Sequence, residues 1–101
     1  MKSKTPILRI ILLERAEIEI DDSAFYYDSQ KTGLGSLFLL EVERICVLIS
    51  RNPERFTKNR DGFREAPLQR FPFRIIYKMD KDELYVVSVF HIRRNPSKKP
   101  K

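Results

Sequence analysis

Two apolar runs near the end of the chain, Phe71–Met79 and Leu84–Ile92, are separated only by Asp80-Lys81-Asp82-Glu83. Strand-forming residues on both sides of a four-residue polar turn predict a β-hairpin. In the first run, Phe71, Phe73, Ile75, Tyr77 and Met79 alternate with Pro72, Arg74, Ile76 and Lys78. Side chains along a strand point to opposite faces in turn, so the first set needs an apolar layer to cover it. That need constrains everything upstream.

The covering layer is legible in residues 14 to 51. Ala16, Ile20, Ala24 and Tyr27 recur at helical spacing, with Glu17, Glu19, Asp21 and Asp22 turned elsewhere. Acidic residues early in this segment suit the positive end of a helix dipole. Leu13 stands where a capping Ser, Thr or Asp is usual. Gln30-Lys31-Thr32-Gly33 ends the helix, with Gly33 available for a left-handed conformation. A second helix is predicted from about Leu34 to Arg51, with Leu34, Phe38, Val42, Ile45 and Ile49 as its stripe, broadened by Leu37 and Leu48 and stopped by Pro53. So short a link makes the two helices an antiparallel hairpin.

Ile7–Leu13, apolar on both pleat faces apart from Arg9, reads as a covered strand. Phe63–Leu68 reads as a short strand with Pro67 marking an edge. The predicted order is β-α-α-β-β-β, an α+β domain with a small, mostly antiparallel sheet and the helical hairpin packed on one face. At 101 residues there is room for one core, so residues 1–96 form a single domain, and the polar stretch 97–101, SKKPK, is expected to be a disordered basic tail.

Charge divides the chain. Residues 63–101 hold ten Lys/Arg against four Asp/Glu, whereas residues 1–62 hold ten of each, so the formal charge of +6 belongs to the C-terminal part. With a pI near 9.7, an anionic partner such as nucleic acid or an acidic protein is expected. Arg64, Arg70 and Arg74 enter the hairpin, and His91, Arg93 and Arg94 leave it. If Met79 pairs with Leu84, Arg74 opposes Val89, Pro72 opposes His91 and Arg70 opposes Arg93. Arg70, Arg74, His91 and Arg93 then converge on the face turned away from the helices. Arginines in one patch suit phosphate, which accepts their planar, bidentate donor pair.

Other chemistry is sparse. A single His with no Cys/His/Asp cluster at ligand spacing makes no metal site, and no cofactor fingerprint appears. His91 is suited to acid–base work by its pKa class, or to a plain hydrogen-bonding role. Cys46, the only cysteine, reads as core packing on the second helix, and Glu41 and Glu43 as solvated helix charges. One cysteine forms no internal disulfide and fits a reducing cytosol. Lys2 and Lys4 before ILRIILL give a signal-like look, but the run is short, is broken by Arg9 and lacks a small-residue cleavage site. No stretch approaches a membrane span, so a cytoplasmic protein with no membrane partner is expected.

Four segments in order, AEIEIDDSAFYYDSQKTGLGSLFLLEVE (16–43), ISRNPERF (49–56), FREAPLQRFPFRIIY (63–77) and VVSVFHIRRNP (86–96), resemble the RelE/ParE toxin superfamily of type II toxin–antitoxin systems, nearest its ParE-like plasmid stabilisation branch. The resemblance implies a growth-inhibiting toxin neutralised by a cognate antitoxin, and operator DNA bound through the antitoxin complex. Two mechanisms follow from it. ParE-like members inhibit DNA gyrase by protein–protein contact and are not enzymes. RelE-like members are mRNA interferases that cleave message on the ribosome. Under the second, Arg74 matches the arginine of the aromatic-Arg-aliphatic-aliphatic-Tyr strand, Arg93 or Arg94 falls near the later basic position, and His91 stands in for the missing C-terminal tyrosine. FREAPLQRF replaces the lysine-rich strand of those nucleases, and FPFRIIY and FHIRRNP look more like the gyrase-directed branch.

Overall fold

The structure is a computed structural model and describes residues 8–93. Its order is β1 (Arg9–Leu12), α1 (Glu14–Gln30), α2 (Leu34–Arg51), β2 (Arg64–Pro67), β3 (Phe73–Asp80) and β4 (Glu83–His91). The four strands form one mixed sheet in the order β1-β4-β3-β2, antiparallel except for the parallel pair β1–β4. The two helices and the four-stranded sheet make the α+β fold that the periodicity predicted. Arg94 and the expected tail at 97–101 lie outside the described residues, as does Ile7 at the start of the predicted first strand.

The core forms where the helical stripes meet the sheet. Phe38, Val42, Ile45 and Ile49 of α2 and Ala16 and Ile20 of α1 pack with Phe73, Ile75, Tyr77, Leu84, Val86 and Val89. Each large apolar side chain so buried contributes about 1.5–3 kcal/mol. At one end Tyr27, Phe38, Phe71 and Phe73 meet ring to ring at 4.9–6.2 Å, in tilted and edge-on arrangements. Leu37, expected to broaden the α2 stripe, is 45% exposed and does not join the core. It sits about 140° round the helix from Val42, which takes it off the buried face.

Both helices lack a side-chain cap of their own. Leu13 precedes α1 in extended conformation. At α2, Gly33 takes the left-handed conformation expected of it, with φ 91°. Asp28, in the last turns of α1, substitutes for a cap: its Oδ1 accepts the Gly33 and Gly35 amides at 3.0 and 3.1 Å. Gly35 lets the helices touch there, because a Cβ at that position would collide with the Ala24 carbonyl oxygen.

The hairpin turn is as predicted, with Met79 opposite Leu84 and Lys81 at φ 60°. The register beyond it is not. Tyr77 pairs with Val86 but Ile76 pairs with Ser88, so Val87 is an extra residue in β4. From there Arg74 opposes Phe90, not Val89, and His91 opposes Phe73, not Pro72. The bulge sits where β1 stops: the Leu13 amide donates to the Val86 carbonyl, and beyond it no strand among the described residues pairs with β4 on that side. Glu19 of α1 takes over, accepting the Ser88 hydroxyl at 2.6 Å and the Val89 amide at 2.9 Å. A helix side chain thus satisfies a backbone amide, that of Val89, which a longer β1 would have paired.

Candidate functional site

The bulge divides the predicted cationic patch. A one-residue slip moves the rest of a strand's side chains to the other face. Val89 therefore joins the helix-side core, and His91 follows it, its ring 4.9 Å from Phe73 and nearly perpendicular. Arg74 stays on the opposite face. The expected convergence of Arg74 and His91 is corrected accordingly.

Each predicted cation has its own setting. Arg64, half-buried, donates from Nη1 to the Phe56 carbonyl at 2.6 Å. Beside it the Tyr77 hydroxyl donates to the Pro53 carbonyl at 2.8 Å, so both residues anchor the chain leaving α2. Burial pushes the Tyr77 hydroxyl up to about 12, against the lowering influence of Arg64. Arg74 Nε lies 4.0 Å from Glu65, whose other oxygen accepts Asn59 Nδ2 at 2.9 Å. These residues line a shallow groove of about 560 Å³ together with Phe56, Lys58 and Pro67.

Arg70 is placed differently. It is exposed in the turn between β2 and β3, next to Pro72, whose carbonyl accepts the Ile92 amide at 3.0 Å. Arg70 therefore shares an end of the sheet with His91 and Arg93. Arg93 is exposed, and its amide donates to His91 Nδ1 at 3.1 Å. That bond requires Nδ1 to carry no proton.

The turn bearing Arg70 is held from below by Glu41, whose Oε2 accepts the amides of Gln69 and Arg70, the latter at 2.9 Å. Glu41 is thus buried, not the solvated helix charge expected; Glu43 is exposed as read. Beside this anchor Arg44 donates to Gln69 Oε1 at 2.9 Å. Leu37, Leu40, Glu41, Arg44, Gln69 and Arg70 line a cleft of about 330 Å³ with an apolar side and two arginines. Sequence reasoning missed this cleft. Its signal was an excess of apolar residues on α2, with Leu37 and Leu40 lying beyond the stripe that the sheet needs.

Little else here supports covalent chemistry. Burial, and then the nearby Glu43 carboxylate, push the Cys46 thiol up to about 11, so at neutral pH it is no nucleophile. Among the described residues no cluster of His, Cys, Asp and Glu is arranged to hold a metal, and no helix is long and apolar enough to cross a membrane.

The profile of the family described as ParE toxin of type II toxin–antitoxin system, parDE, matches residues 10–96. The chain belongs to the ParE toxin family. A solved ParDE chain, from the chromosomal ParDE toxin–antitoxin system of P. aeruginosa, has the same fold: the TM-score is 0.74 over 84% of this chain and 96% of that one. Identity between the two is 11%, so the likeness is one of fold, with most side chains changed. No match was found among curated protein sequences.

Proposed function

We propose that this ParE-family chain is the toxin half of a type II module, arresting growth by holding DNA gyrase through protein–protein contact, with no catalysis of its own. A cognate antitoxin neutralises it, operator DNA is bound through the antitoxin complex, and the setting is the cytoplasm, where gyrase works. The observation that carries the mechanism is the separation of Arg74 from His91. Cleavage of RNA needs an acid or base at the 2′-hydroxyl together with cations on the phosphate. Here the histidine packs on Phe73 under the helix side of the sheet, while the strand arginine sits on the other face beside Glu65. The cleft with Leu37, Leu40, Arg44 and Arg70 instead has the make-up of a protein contact, an apolar patch with an arginine rim. The ParDE system of the P. aeruginosa chain supports the antitoxin as partner.

The test is a supercoiling assay with the purified chain. Gyrase activity is expected to fall, or cleaved DNA to accumulate on the enzyme, and Arg70→Glu is expected to relieve the effect. Normal gyrase turnover at saturating toxin rejects the reading. New 5′ ends in ribosome-bound mRNA, lost in Arg74→Ala, would establish message cleavage in its place.

A further inference from the structure

The cleft beside the Arg70 turn holds two guanidinium groups with no carboxylate to pair them. Arg44 and Arg70 both line it and are exposed, and neither forms an ion pair among the described residues. The one acid in the lining, Glu41, is buried and turns Oε2 to the Gln69 and Arg70 amides, so the backbone of the turn takes up its charge. Glu43, the other acid of α2, does not line the cleft. It lies about 100° round the helix from Arg44, with Leu40 between them. Positive charge gathered in a concave surface and left unpaired favours an anionic ligand.

The lining also specifies which anion. Arg44 spends Nη2 on Gln69 Oε1 at 2.9 Å, which steadies the guanidinium and leaves its other N–H groups for a second acceptor. Such a fork suits both carboxylate and phosphate. The apolar part of the lining separates the two. Leu37 and Leu40, 45% and 60% exposed, are one turn apart on α2, and Arg44 is one turn beyond Leu40, so an anion held by Arg44 lies against leucine. A carboxylate on a polypeptide brings apolar side chains as neighbours, whereas a phosphodiester backbone does not. At about 330 Å³ the cleft is at the small end of the range of ligand sites, about 300–1,000 Å³, and one or two side chains fill it.

We infer that this cleft recognises an Asp or Glu side chain set beside an apolar one on its protein partner. The acid pairs with Arg44 and Arg70, and the apolar neighbour covers Leu37 and Leu40. The inference rests on the reading of this cleft as a protein contact, but not on that protein being gyrase.

A nuclear magnetic resonance titration of the isotope-labelled full chain tests it. The probes are the capped peptide acetyl-Leu-Asp-Leu-Asp-amide, its asparagine counterpart and inorganic phosphate. The aspartate peptide is expected to bind in the millimolar range, moving the Gln69 and Arg70 amides and the Leu37 and Leu40 methyl groups, and the asparagine peptide at least ~10-fold more weakly. Arg44→Gln/Arg70→Gln is expected to abolish the response, and Arg44→Lys/Arg70→Lys to recover part of it, since an ammonium lacks the planar fork. Arg51→Gln, further along α2, should leave it as in wild type. Absence of binding overturns the proposal, as does equal binding of the two peptides. Phosphate binding as tight as the aspartate peptide's, or Arg51→Gln weakening the response as much as the cleft pair does, overturns it too. The supercoiling assay keeps the two readings apart. A wild type that binds the peptide without inhibiting gyrase retains the chemistry of the cleft and loses gyrase as the partner. One that inhibits gyrase, ignores the peptide and still inhibits as Arg44→Gln/Arg70→Gln retains gyrase and loses the cleft.

Discussion

Replacing Glu41 tests how the Arg70 turn is held. One carboxylate oxygen accepts two backbone amides from the β2–β3 turn, 28 and 29 residues further along the chain. A hydrogen bond to a charged group contributes about 1.5–3 kcal/mol, and the loss is smaller where water can replace it. Two such bonds would sum to about 3–6 kcal/mol, but Gln69 and Arg70 are exposed and water can replace part of this, so Glu41→Ala should cost about 2–3 kcal/mol in all. For a domain of this size each kcal/mol lowers Tm by about 4–8 °C, giving a fall of roughly 8–24 °C. Glu41→Gln keeps one oxygen acceptor while presenting an NH₂ group to the second amide, and should lose about half as much. The neighbouring, exposed Glu43→Ala should stay within about 0.5 kcal/mol of wild type. Urea unfolding of the three variants measures these values. A Glu41→Ala chain as stable as Glu43→Ala would refute the reasoning, since the carboxylate would then contribute no more than a solvated charge.

Two further changes probe the frame around the sites. Gly35→Ala should destabilise by about 1–3 kcal/mol despite alanine's better helix propensity, because the added carbon meets the Ala24 carbonyl and, at 3.1 Å, the Asp28 side chain; a gain in Tm would show that the helices part without cost. Tyr77→Phe should flatten the loss of stability in alkali: with a native pKa of about 12 against about 10 unfolded, the wild-type tyrosine's contribution is complete below pH 10 and disappears as pH rises through 12. Equal slopes for the two proteins between pH 10 and 12 would remove Tyr77 as the cause.

The fold was legible because its periods are clean. Phe38, Val42, Ile45 and Ile49 at helical spacing, and Phe73, Ile75 and Tyr77 at alternate positions, specify two layers whatever their partners. The site was less so, for a local reason. Extending the turn's register along β4 would have put Ser88 and Phe90 against the helices and Val89 outside, a pattern with a hydroxyl in the core. The bulge at Val87 reverses this, and the groups that sustain it, Glu19 with Ser88 and Val89, are about 70 residues apart in the chain. Glu41 was misread on similar grounds: on the helix it resembles Glu43, and only the distant Gln69–Arg70 turn distinguishes them.

Glu19 also fixes the joint between the first strand and the first helix. Its carboxylate reaches Ser88 and Val89 because α1 starts at Glu14, directly after Leu13 is tied to Val86. One residue inserted between Leu13 and Glu19 would swing the carboxylate by about 100° around the helix axis and carry it off β4. Chain length in this joint is therefore under tighter constraint than residue type, and a relative with a longer joint must seal the strand with a different side chain.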